Sequence, residues 1–462
     1  MRGGHRHGKP VAKFTEGTNR VLDNAARGAG HRRNGAGIRF GIRWDDGRRP
    51  KRALLPLVAA LGALLLAPSA HAQSVAPSAA ASSEVVRTAA GLAGTPDGAG
   101  VGVALLDSGV VPVAGLDRPG ALVVGPDFSD EGDDSDLAGL DTFGHGTHLA
   151  GIIAGSDPET GFEGVAPGAR VISVKVAGAD GVTSLSQVLA GMDWVREHRD
   201  EYGIRVLNLS LGTQGDGDYR RDFLAWKAEQ LWKDGIAVVA SAGNDGAGSH
   251  MLDMPAADPY VIAVGASDTN ATPDPADDRV ADFSSRSFAR APDVVAPGTG
   301  IVSARVAGAT LDEEFPGARV GDAFFRGSGT SQAAAVVSGV AARLLAQRPQ
   351  MTPDQLKALL RAGAVDLPDP ASADGAGRVN AARSAALPTP GPEAIQRWTP
   401  SAPDLKKLRK RGNRELETGA TNWNGRRWSG MKWSGRRWSG MKWAGMKWSG
   451  MKWSGAEWDA GS

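Results

Sequence analysis

Cysteine is absent from the 462 residues. That excludes disulfide staples, thiolate zinc sites and a cysteine nucleophile. Net charge is almost absent as well. The 52 Lys+Arg stand against 51 Asp+Glu, so no global imbalance drives binding to nucleic acid or membrane. The chain also lacks the composition of a wholly disordered or a collagen-like protein, because 41% of its residues are apolar, ample for a sizeable core. The charge is unevenly spread, however: both ends are basic and the middle is acidic.

The apolar run Ala53–Ala67 is too short, and too broken by Pro56 and Gly62, to span a bilayer comfortably. Lys51-Arg52 precede it and the small-residue pattern Ala70-His71-Ala72 follows. Basic, apolar and cleavable in that order describe a signal peptide cut near residue 72. A membrane anchor or a buried helix is the alternative. Residues 1–50 are Arg- and Gly-rich without apolar periodicity, so either the true start lies downstream of Met1 or the leader is unusually long. Arg48-Arg49 has the form of a twin-arginine signal, but the residues after it fit that signal poorly.

From Val101 onward the pattern changes. Val101–Leu106 is a continuous apolar run, as expected of a strand buried on both faces, and similar runs follow at Val171–Val176, Val206–Leu209, Ile236–Ala240 and Val261–Val264. Between them lie helical spacings: Leu185, Leu189, Met192 and Val195, then Phe223, Leu224 and Leu231 on a stretch with Trp226 and Trp232. The alternation predicts an α/β fold with a mostly parallel sheet and helices on both faces. Ligands of such sheets sit at the carboxyl ends of the strands.

Three motifs carry chemistry. Asp107-Ser108-Gly109 ends the first strand, where an Asp is also an ordinary turn former. Gly144-His145-Gly146-Thr147-His148 opens an apolar stretch. Two histidines three apart suggest a metal pair, but no HExxH pattern or third ligand accompanies them, and His148 reads as a structural residue. Gly327-Ser328-Gly329-Thr330-Ser331 leads into a helix through Val336, Val340, Leu344 and Leu345. A serine in the first helical turn has backbone N–H groups and the helix dipole beside it, which suits a nucleophile, although serine is also a common N-cap.

Asp, His and Ser in that chain order form one of the known orders of the catalytic triad. With their flanks the blocks resemble the subtilisin-like serine proteases (subtilases) over roughly Gly94 to Leu387. Further matching blocks are Gly164-Val-Ala-Pro167, Val174-Lys-Val176, Asn208-Leu-Ser-Leu-Gly212, Ala242-Gly-Asn-Asp245, Asp282-Phe-Ser-Ser285, Val295-Ala-Pro-Gly298 and Gly377-Arg-Val-Asn380. The resemblance implies a subtilisin-like three-layer fold and a serine endopeptidase. It implies Ser331 as nucleophile, His145 as general base, Asp107 as the carboxylate orienting that base, and Asn244 as the oxyanion-hole side chain. It implies that Ser210, Leu211 and Gly212 pair with an extended substrate, with Gly178–Gly181 as the opposing edge. The pocket for the residue before the cut falls between Ser210–Gly212 and Ala242–Asn244. Its floor lies near Ser249–Asp253, where the sequence is shorter than the family pattern, and its preference stays open.

Three departures accompany the resemblance. Ala335 stands where the family has proline, with modest rate tuning and no loss of chemistry expected. No propeptide fits between Ala72 and Asp107. Relatives often bind Ca²⁺ through loop oxygens, but Pro158 replaces a ligand in Ser156–Gly161. The acidic loop with Asp127, Asp130, Glu131, Asp133, Asp134 and Asp136 is then either a structural Ca²⁺ site or a solvated loop. No metal takes part in the expected chemistry.

After the peptidase domain, 73–387, comes a Pro-rich and basic linker, 388–422, with Pro388–Pro392 and Lys406–Arg411. The tail, 423–462, places Trp423, Trp428, Trp433, Trp438, Trp443, Trp448, Trp453 and Trp458 at a period of five. That period puts them on one face of neither a helix nor a strand. Trp with interleaved cations suits a cell-envelope polymer or membrane surface, or a Trp-zippered repeat folding on itself. The expected protein is a secreted or envelope-associated monomer acting on protein or peptide substrates, with no nucleic-acid partner. The alternative is a non-catalytic envelope-binding protein on the same scaffold.

Overall fold

The computed structural model describes residues 78–406, apart from 214–217, 250, 273 and 275. The leader expected over 1–72 and the Trp-rich tail lie outside the described residues. Seven parallel strands build the main sheet: β1 (Gly102–Asp107), β2 (Leu122–Asp127), β3 (Arg170–Lys175), β4 (Ile204–Leu209), β5 (Ala237–Ser241), β6 (Ile262–Asp268) and β7 (Val294–Pro297). Their spatial order is β7-β6-β5-β4-β1-β3-β2, and the two-residue strand Arg279–Val280 adds antiparallel to β6. β1 is buried at every position, as its unbroken apolar run requires, and its carboxyl end is where the strand order reverses.

The apolar runs correctly marked β1, β3, β4, β5 and β6. They missed β2, an edge strand whose residues are at most half-buried, and β7, which is only four residues long. A small antiparallel sheet was also not expected. There β8 (Ile301–Ala304) pairs with β9 (Phe324–Gly327), which leads directly toward Ser331.

Seven helices matter for the site and its support: α1 (Ala79–Ala89), α2 (His145–Ala154), α3 (Leu185–Glu197), α4 (Phe223–Lys233), α5 (Thr330–Gln347), α6 (Pro353–Ala362) and α7 (Ala381–Ala386). α2 packs on α5, and α3 on α4, giving a helix layer on each side of the sheet. α3 starts at a capping box: Ser184 Oγ accepts from Gln187 N, and Ser184 N donates to Gln187 Oε1. Its buried stripe of Leu185, Val188, Leu189, Met192 and Val195 follows the helical period. α5 is different, because every residue from Thr330 to Leu345 is buried. Its run of Ala, Ser and Gly lets neighbours approach closely; a Cβ on Gly339 would lie 2.6 Å from Val165 Cβ. Among the described residues no helix is long and apolar enough to cross a membrane.

The segment after α7, expected as a linker, lies against the domain through residue 402. Tyr260 Oη donates to Trp398 O at 2.8 Å, and Ser401 N donates to Glu229 Oε1 at 2.6 Å. Proline fixes the backbone but does not stop it from docking through its own carbonyls.

Candidate active site

The site assembles at the carboxyl end of the sheet. Asp107 is the last residue of β1, and its main-chain oxygen accepts from Val176 N at 2.8 Å, which pins the strand end to β3. Its Oδ1 accepts from Ser108 N at 2.9 Å and lies 2.8 Å from His145 Nδ1. With Nδ1–H given to the carboxylate, the neutral ring keeps Nε2 as its basic nitrogen.

His145 is the first residue of α2, and two glycines make that placement feasible. Gly144, at φ +100°, turns the chain into the helix through a conformation L side chains rarely adopt. Gly146 lets the helix touch the Asp107 strand end: a Cβ there would lie 2.1 Å from Gly109 O. Asp141 was not singled out from sequence, yet it ties these parts together. It accepts from Gly144 N and Thr147 N, each at 2.7 Å, and from Ser108 Oγ at 2.8 Å. Burial raises its carboxyl above the usual range, against the pull of those donors. Its signal in the sequence is an Asp four residues before the histidine, where it caps a helix that opens without a side-chain N-cap. His148 is fully buried. Desolvation, with the neighbouring His145 adding to it, brings its pKa down to about 3, so it remains a neutral core residue.

Ser331 is the second residue of α5. The N-cap is Gly329, so the serine is not the cap that its position also allowed. Its Oγ donates to Ser210 O at 3.2 Å, and Ser210 Oγ lies 3.2 Å from Ser331 O. This reciprocal pair joins the helix start to the segment after β4. Asn244 follows β5. Its Oδ1 accepts from Thr330 N at 2.9 Å and Thr330 Oγ1 at 3.0 Å. Because Thr330 N can only donate, the amide orientation is fixed, with Oδ1 on Thr330 and Nδ2 left as the donor end. Thr330, part of the Gly327–Ser331 motif but given no role there, is therefore what orients Asn244. Ser331 N, in the first helical turn, has no acceptor within the helix. Leu211 is buried and Gly212 half-buried beside Ser210.

Part of the acidic loop is committed to internal partners, whereas Asp133, Asp134 and Asp136 are exposed. Glu131 Oε2 accepts from Lys175 Nζ at 2.5 Å and from Thr142 Oγ1 at 2.8 Å, and Glu131 Oε1 accepts from Ala179 N at 2.7 Å. Asp127 lies 3.8 Å from the same ammonium. Among the described residues no three His, Asp or Glu converge as metal ligands. The Ser156–Gly161 loop likewise closes on itself, with Asp157 accepting from Glu159 N and Thr160 Oγ1.

The structure pairs Asp107 with His145, and separately joins the start of the Ser331 helix to Ser210 and Asn244. An Asp–His pair, a serine at a helix start and an oriented amide are the kinds of group acyl transfer uses. A family profile described as the subtilase family, Peptidase_S8, matches residues 98–379. The chain belongs to the subtilase family. It is 36% identical over 315 residues to the serine protease AprX of Bacillus subtilis, covering 65% of this chain and 69% of that one. It is 33% identical over 285 residues to subtilisin Savinase of Lederbergia lenta, covering 62% of this chain and 90% of that one. Among solved structures it resembles fervidolysin of Fervidobacterium pennivorans, a keratinolytic enzyme related to subtilisin. That match has a TM-score of 0.52 and 31% identity, over 64% of this chain and 44% of that one. This subtilase is a serine endopeptidase with the expected three-layer α/β fold.

Proposed function

We propose that this subtilase cleaves peptide bonds with Ser331 as nucleophile, His145 as general base and Asp107 as the residue that orients it. The 2.8 Å contact between His145 Nδ1 and Asp107 Oδ1, at the end of a buried parallel strand, carries the reading. Ser331 Oγ turns from the Ser210 carbonyl to His145 Nε2, gives up its proton there, and attacks the substrate carbonyl carbon. The developing oxyanion is held by Asn244 Nδ2 and Ser331 N–H. His145 then protonates the leaving amine as the C–N bond breaks. Water, deprotonated by the same ring, releases the acyl group from Ser331.

The substrate lies extended along Ser210, Leu211 and Gly212, where main-chain bonds supply affinity. The Ala70-His71-Ala72 pattern supports export of this chain, and the Trp–cation tail supports attachment to an envelope polymer or membrane surface.

The test is casein cleavage by the purified Ala72–Ser462 protein beside its Ser331→Ala variant, with fluorophosphonate labelling of both. The expected result is labelling and cleavage by the wild type, with turnover roughly 10⁶-fold lower in the variant. A folded wild type that neither labels nor cleaves would refute the reading and leave the non-catalytic alternative.

A further inference from the structure

We propose that Asp253 makes this enzyme prefer arginine or lysine immediately before the scissile bond; the inference rests on the peptidase reading above. A substrate carbonyl at Ser331, with its oxygen toward Asn244, hangs the preceding side chain between two walls. These are Ser210–Gly212 after β4 and Ala242–Asn244 after β5. The segment Asp253-Met254 is stitched to both. Asp253 N donates to Ala242 O at 3.0 Å, and Met254 exchanges two backbone bonds with Thr213, at 2.6 and 3.0 Å. It therefore forms the floor between the walls.

The Asp253 side chain fills the space that both walls leave open by carrying glycine. A Cβ on Gly212 would lie 2.8 Å from Asp253 Cβ. One on Gly243 would lie 2.7 Å from Asp253 Oδ2 and 2.9 Å from its Cγ. A side chain at Gly212 or Gly243 would collide with the aspartate, so the two glycines and the acid form one arrangement. Asp253 is 6% exposed, so its charge acts where water screens it little. Asp245, half-buried and adjacent to Asn244, adds a second negative charge to the same loop.

A carboxylate at the base of this pocket attracts a guanidinium or ammonium carried on a long apolar stem. An apolar side chain pushed against it displaces the carboxylate's polar surroundings and offers no charge in return.

The experiment compares four fluorogenic peptides that differ only in the residue before the cleaved bond: Arg, Lys, Phe and Leu. The wild type is expected to show kcat/KM at least about tenfold higher for Arg and Lys than for Phe and Leu. Asp253→Asn is expected to lower the Arg and Lys values on the order of 10²-fold, with Phe and Leu unchanged or improved. Benzamidine, a compact arginine-like cation, is expected to inhibit the wild type competitively, a readout that needs no variant. Equal cleavage of Phe and Arg by a wild type insensitive to benzamidine would overturn the inference, as would an equal loss on all four peptides in a folded variant. Fluorophosphonate labelling of Ser331 separates the two failures. A labelled enzyme indifferent to charge sinks only the role of Asp253, whereas an unlabelled, inactive one sinks the peptidase reading itself.

Discussion

Replacing Lys175 by methionine should destabilise the enzyme by about 3 kcal/mol, the low end of the range for leaving a buried charge without its partner. The estimate follows from what remains. Lys175 is 1% exposed, and the Asp127 and Glu131 carboxylates facing it are 5% and 15% exposed. Methionine keeps the stem packing but removes the ammonium from both, as well as its bond to Leu140 O. The carboxylates are not wholly stranded: Asp127 still accepts from Ser129 N and Gly139 N, and Glu131 from Thr142 Oγ1 and Ala179 N. Those donors place the cost at the low end, and at roughly 2.1 cal/mol/K of unfolding entropy per residue it corresponds to a loss of about 4–5 °C in Tm. The measurement is guanidinium unfolding followed by near-UV circular dichroism, in a Ser331→Ala background so that self-digestion does not intervene. Adding Glu131→Gln should recover part of the loss, since it removes one of the two stranded charges. A Lys175→Met protein within about 1 kcal/mol of its parent would refute the view that this ammonium neutralises the acidic loop. The perturbation should also reach the site, because Lys175 pairs in register with Asp107, and Glu131 accepts from Ala179 N within Gly178–Gly181.

Other substitutions test the remaining parts. Asn244→Ala should lower kcat by roughly 10²–10³-fold with KM little changed, the size known for removal of one oxyanion donor in a serine protease; steady-state kinetics showing less than a tenfold loss would remove Asn244 from that role. Gly146→Ala should lower both Tm and activity, because its Cβ would lie 2.1 Å from Gly109 O; melting and kinetic curves like the wild type's would refute the close approach. Asp258 responds to pH. Burial, with Glu229 adding to it, raises its pKa to about 7. The folded state therefore holds a proton that the unfolded chain has already lost, and stability should fall as pH rises from about 4 to 7. Lys357, lowered by burial to about 8, acts in the opposite sense at higher pH, where stability should rise as the unfolded chain gives up its extra proton. Asp258→Asn should flatten the drop in Tm between pH 5 and pH 7, and an unchanged drop would assign it to other groups.

Much of the fold is legible along the chain because a parallel sheet buried on both faces needs uninterrupted apolar strands. β1, β3, β4, β5 and β6 have them. β2 is half-exposed at the edge and carries Gly125 and Pro126, so its run is not continuous. β7 and the small sheet are too short to leave a periodic trace. The Asp, His and Ser candidates were legible for a related reason: each lies where a strand ends or a helix begins, and glycines there mark forced backbone geometry. The roles of Ser108, Asp141 and Thr330 left no comparable mark. These residues act through hydrogen bonds to partners between 1 and 87 residues away, and a Ser, an Asp or a Thr has many uses.

Local order along the chain was enough to specify the parallel α/β class and the family, and to single out the three candidates Asp107, His145 and Ser331, because period, turn chemistry and motif spacing are properties of neighbours. Three-dimensional packing alone determined which acids are neutralised, how the Asn244 amide points, and that Asp253 lies between Gly212 and Gly243. Asp253 stands 41 positions after one of those glycines and ten after the other. Only the pairing of Thr213 with Met254 and of Ala242 with Asp253 brings the three together, because backbone hydrogen bonds between separate segments depend on the folded register and not on distance along the chain.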